Sequence, residues 1–264
     1  MILLSIAIVI ALLVSIGLPI LAAIWINKRL NVSWQVIILG ALGYFIVQSL
    51  LTLLYSGYTS LVGGDPTTFT EGSGFIIQVA VSILMAALLG VILRWVGMKF
   101  IKLPLTNLEA AYGIGLGFGG IESITRVGLP LLMSFITMLS NTTIDPQTST
   151  LEPEIITQLE AMWQVSAWVP FAGSLERIAA LVMHITVTIL VLQFFTRKNA
   201  LWLAGAVGLE VLINGLVFGL AEAGLGYGWV ILVAVVLMVG NLYWLYRLNA
   251  FEIFKNIPHH DQPA

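Results

Sequence analysis

Glu122 with Arg126, then Glu176, Arg177 and His184, then Glu210 with Asn214 fall inside three successive apolar stretches of a 264-residue chain. Carboxylates and an imidazole hold and pass protons and an Asn amide donates hydrogen bonds, so the set has the group types of an acid–base site. Its setting is what makes it informative. A central acid disfavours membrane insertion by ~2.5–3.5 kcal/mol, so an ionisable residue there is a functional candidate until a partner explains it. Arg126 is such a partner for Glu122, one helical turn on and on the same face. Glu210 and Asn214 share a face at the same spacing, and Arg177 and His184 share one at seven residues. Glu176 is rotated about 80° from His184, which suits it to a neighbouring helix or to orienting Arg177. At 1.5 Å per residue Glu122 lies roughly 20 Å into its span, and His184 and Glu210 also fall near mid-span, so the groups can meet at one depth. The alternative is that the pairs only hold helices together, a role worth ~0.6 kcal/mol per polar contact on average.

The elements that must position these residues are membrane spans. Apolar residues make up 59% of the chain and charged residues 9%, with a mean hydropathy of +1.02, the composition of a polytopic membrane protein. The expected fold class is all-α, a single integral membrane domain over 1–264. About seven spans are expected near 2–26, 35–55, 75–93, 108–133, 169–195, 200–220 and 229–246. An amphipathic interfacial helix is expected from Pro153 to Trp168, where Ile155, Ile156, Leu159, Met162 and Trp163 oppose Glu154, Gln158 and Glu160. Thr106 or Asn107 with Glu109 marks the start of the fourth span, and Gly128 and Pro130 are placed to kink or end it. Glycines 113, 115, 117, 119 and 120 would weaken a helix in water; in a membrane they let backbones approach closely and bring other helices' polar groups to Glu122.

Lys28 and Arg29, then Arg94, Lys99 and Lys102, then Arg197 and Lys198, then Arg247 and Lys255 fall in alternate connections or the tail. Loops 56–74, 140–168 and 221–228 contain no basic residue. The positive-inside rule then places the protein in the cell membrane with its N-terminus outside and its C-terminus in the cytoplasm. Arg126 and Arg177 are the two basic residues left inside spans. All eight Trp residues sit near span ends, as interfacial aromatics do. The absence of cysteine excludes disulfides, thiol chemistry and Cys-based metal sites.

The Gly-rich segment ending in Ile121-Glu122-Ser123, the Glu176-Arg177 pair followed by His184, and a polar pair four apart in the next span resemble the YhfC family of bacterial intramembrane proteases. That family is related to the CAAX prenyl protease and bacteriocin-immunity group. The CAAX motif begins with two adjacent glutamates and an Arg four after the second; Glu122 and Arg126 match the latter two, with Ile121 at the first. His184 resembles the later His, and Glu210-x-x-x-Asn214 stands where that group has His-x-x-x-Asn or Asp.

The resemblance implies peptide hydrolysis inside the bilayer on membrane-embedded or membrane-associated peptides, with no nucleic acid partner. Glu122 would be general base on a water also held by His184, and Asn214 with a protonated Glu210 would donate to the developing oxyanion. No cofactor is expected. A zinc ion held by Glu122, His184 and Glu210 is the less favoured form, since no local ligand motif such as His-Glu-x-x-His is present. Two other classes stay open: a non-catalytic scaffold that keeps the fold, and a small carrier using the buried carboxylates as a relay.

Overall fold

Apolar runs of 20 or more residues leave the backbone no partner in a bilayer except itself, and helices satisfy it. A computed structural model describes residues 2–62, 72–100, 108–140, 153–222 and 226–254. Among these, α1 is Ile2–Leu30, α2 Trp34–Val62, α3 Gly72–Phe100, α4 Leu108–Ser140, α5 Pro153–Gln164, α6 Trp168–Arg197, α7 Leu201–Glu222 and α8 Tyr227–Arg247, followed by a 3₁₀ turn at Ala250–Phe254. Five helices, α1 to α4 and α6, are long and apolar enough to cross a membrane, and α7 and α8 carry the shorter apolar stretches Leu201–Val217 and Ile231–Arg247. The chain is an all-α, multi-pass membrane bundle.

Several spans run further than their composition indicates. α2 continues to Val62 and α4 to Ser140, and α3 does not stop at Leu93 but reaches Phe100. Arg94 is therefore not part of a basic connection: it lies within α3 and is 1% exposed. The helix continues past it because Trp95, Val96, Gly97 and Met98 are themselves apolar or small. Thr106, Asn107, residues 63–71 and 141–152, and His259 and His260 lie outside the described residues. α5 forms where amphipathicity indicates, and its Met162 and Trp163 pack beside Leu4, Ile8 and Met138.

Two helices absorb a proline without ending. In α1 a π turn spans Leu13–Gly17, just before Leu18-Pro19; in α4 another spans Ile124–Gly128, just before Leu129-Pro130. Pro19 has no N–H, so the Ser15 carbonyl loses its usual donor. Ser123 of α4 supplies one, its hydroxyl donating to Ser15 O at 3.0 Å. α4 therefore does not end at Gly128 and Pro130 but passes through a π turn that begins two residues after Glu122.

α6 is the central helix: 61% of its apolar window is buried, against 17–33% in the other four long helices. α4 lies between α2 and α6, and its glycines divide accordingly. A Cβ at Gly113 would meet Val32 Cγ1 at 2.8 Å and one at Gly117 would meet Ile37 O at 2.0 Å, both on the α2 side. At Gly115 it would meet Ile185 Cα at 2.7 Å and at Gly119 His184 Cδ2 at 2.8 Å, both on the α6 side. Two interleaved small-residue stripes, each of period four, therefore seat α4 against both neighbours at once.

Candidate active site

Gly119 sets the geometry. Because it carries no side chain, the His184 ring lies against α4, and Glu122, one turn further along α4, faces it. His184 Nε2 stands 2.9 Å from Glu122 Oε2. The contact is close but not aligned as a hydrogen bond, and Nε2 remains a buried polar atom without a hydrogen-bond partner. Such a buried polar atom on a cavity wall marks a place where water, an ion or a reacting group fits.

The other carboxylate oxygen of Glu122 faces cations. Arg126 Nη1 is 3.4 Å from Oε1 and Arg177 Nη1 is 3.6 Å from it. Arg126 is 62% exposed, so the i,i+4 pair expected from spacing forms but at an open mouth. Arg177 is the buried partner. It is gripped through Nε and Nη2 by both oxygens of Glu176, which gives Glu176 the orienting role that its rotation away from His184 allows.

On the far side of the imidazole lies Arg94, which no spacing argument places here. Its Nη2 donates to His184 Nδ1 at 2.7 Å, its Nη1 is 2.8 Å from Glu210 Oε1, and its guanidinium stacks on Phe118 at 3.9 Å from the ring centroid. Gly90, one turn before it in α3, makes room: a Cβ there would stand 3.0 Å from both Arg94 Nη1 and Glu210 Oε2. Since a guanidinium only donates, Nδ1 accepts and the ring proton rests on Nε2, on the Glu122 side. The result is a line of alternating charge, Glu176, Arg177, Glu122, His184, Arg94 and Glu210, drawn from α6, α4, α3 and α7. Three acids and three arginines, counting Arg126, balance one another in a setting where unpaired charge is costly.

Glu122, Arg126, Glu176, Arg177, His184, Glu210 and Asn214 all line one cavity of about 560 Å³. The predicted residues therefore converge. Residues from helices that looked empty of chemistry join them: Tyr44 and Gln48 of α2 and Asn241 of α8. Tyr44 and Asn241 are buried, and an Asn241 Oδ1 without a partner adds to the cavity's polar inventory. The signal for Asn241 was its bare presence in a span; Arg94, near the end of an apolar run, gave none. Glu210 is held against Arg94, its Oε1 2.8 Å from Nη1.

The family model described as YhfC intramembrane metalloprotease matches residues 12–245. The chain belongs to the YhfC family. No curated protein and no solved structure matches it. The YhfC description corrects the expectation of a cofactor-free site, because a metalloprotease takes a metal ion. Of the pair at the cavity, Glu122 Oε2 has lone pairs to offer one, but His184 Nε2, 2.9 Å from it, carries the ring proton while Arg94 donates to Nδ1, so the pair as placed does not fit a metal ion. Glu210 does not fit either. It lies toward the opposite ring nitrogen, 3.9 Å from Nδ1, with Arg94 in contact with both. Among the described residues, no group of three His, Asp or Glu is spaced to hold an ion.

Proposed function

We propose that this chain hydrolyses peptide bonds of membrane-embedded or membrane-associated substrates at the Glu122–His184 pair. The observation that carries the proposal is the 2.9 Å approach of Glu122 Oε2 to a buried, unpartnered His184 Nε2 on the wall of a cavity that also holds Asn214. The family description supports the reaction class.

The ion implied by the family would, when bound, supply a water acidified towards neutral pH; His184, with its proton on Nε2, does not fit as its ligand in this arrangement. The residues do the rest. Arg177, fixed by Glu176, holds Glu122 Oε1 and leaves Oε2 turned to the cavity. Glu122 takes the proton as the water oxygen attacks the substrate carbonyl, and returns it to the leaving nitrogen as the C–N bond breaks. Asn214, exposed on the cavity wall, donates to the developing oxyanion, with the Arg126 guanidinium at the mouth adding positive charge. Arg94 is a positioning residue: it fixes the imidazole through Nδ1 and itself through Glu210 and Phe118.

The second reading is a non-catalytic member of the same fold. It is favoured by Glu210, whose engagement with Arg94 leaves the oxyanion one donor fewer than the CAAX-like arrangement implies. Purified protein reconstituted in liposomes with a membrane-peptide library separates the two. Cleavage by wild type, lost in Glu122→Gln and in His184→Ala, supports hydrolysis; an inert wild type with a metal-replete site supports the scaffold.

A further inference from the structure

The cavity at Glu122 does not end at the charged cluster. A second cavity of about 570 Å³ opens between α2 and α3 and shares Leu51 and Ser82 with the first. Its walls are one stripe from each helix: Leu51 and Tyr55 at period four on α2, Gln78, Val81 and Met85 on α3. Tyr55 and Val81 are exposed, so the trough is open laterally to the bilayer. From Tyr44 beside Glu122 to Tyr58 at the far end is fourteen residues, roughly 21 Å of helix. That length takes about six residues of extended chain.

The geometry points to this trough as the binding site for the apolar side chains of an extended peptide substrate, lying along α2 and α3 with its scissile bond at Glu122 and His184. The inference rests on the hydrolase reading and adds where and in what conformation the substrate lies. Its chemistry favours peptide over acyl chain. An extended peptide inside a bilayer brings N–H and C=O groups that need partners. Gln48 and Gln78 place side-chain amides, each both donor and acceptor, on the walls at two levels, and Asn214 places a third at the reacting end. A lipid tail would use none of them.

The test uses full-length Glu122→Gln protein in lipid nanodiscs, so that no turnover is needed. The probe is a biotinylated apolar peptide of about 20 residues carrying photoreactive leucine. Adducts are mapped by mass spectrometry and should concentrate on 48–58 and 77–85. Val81→Trp, which fills the trough from an exposed position, should cut their yield about tenfold, as a changed apolar pocket does. Gln48→Leu should also lower it, while Val236→Trp, exposed on α8, should not. Adducts spread evenly over the helices, or a photoreactive phospholipid labelling the trough in place of the peptide, overturn the proposal. Wild-type cleavage of the peptide with scattered adducts overturns the trough alone; trough adducts with an inert wild type overturn the hydrolase reading alone.

Discussion

Arg94 donates to His184 Nδ1 at 2.7 Å while its other terminal nitrogen lies 2.8 Å from Glu210. One buried cation thus holds both the imidazole and the acid that the sequence pairs with Asn214. Arg94→Met leaves Glu210 buried without its counter-ion, and a broken buried pair loses roughly 3–5 kcal/mol. Thermal unfolding in detergent should show a large drop for Arg94→Met and a substantial recovery in Arg94→Met with Glu210→Met. A single variant as stable as wild type contradicts the pairing.

Gly119→Ala tests how α4 seats His184. The added methyl meets the imidazole at 2.8 Å and its Cβ at 3.0 Å, and overpacking of this kind loses typically ~1–3 kcal/mol. The ring must move from Glu122, so cleavage should fall by more than stability explains. Gly173→Ala, whose Cβ would meet nothing within 4 Å, is the matched control. Equal activity in both would separate the glycine stripe from the site.

With Arg94 buried within α3, eight of the eleven basic residues still cluster at alternate helix ends, in the connections that follow them or in the tail. Reporters fused to the C-terminus and inserted in 141–152 should therefore report opposite sides of the membrane, the tail being cytoplasmic. The same side for both ends the seven-span topology.

Much of the site was legible because its signals are local. Glu122 and Arg126 announce themselves as charge in an apolar run, Glu176 and Arg177 as neighbours, and the glycines as places where other backbones approach closely. Arg94 was not legible, since a basic residue near a span end reads as an edge; only Glu210 and His184, in other helices, reveal that it is buried. The same is true of Tyr44 and Asn241, which are ordinary span residues until the bundle brings them to the cavity. The two π turns escaped for another reason: a Gly-Leu-Pro sequence announces a break, and whether the helix breaks or bulges depends on its surroundings, which in α1 include the donor that Ser123 brings to Ser15.

The measurement that bears most directly on the account compares purified wild type with Glu122→Gln for cleavage of the membrane-peptide library and for thermal stability together. Arg177 keeps Glu176 and Arg126 is open at the mouth, so the substitution leaves no buried arginine unpaired. Stability should change little, while cleavage falls by roughly 10²–10⁴, the range for loss of a general base. Wild type that cleaves nothing, or a Glu122→Gln protein that cleaves at the wild-type rate, contradicts it.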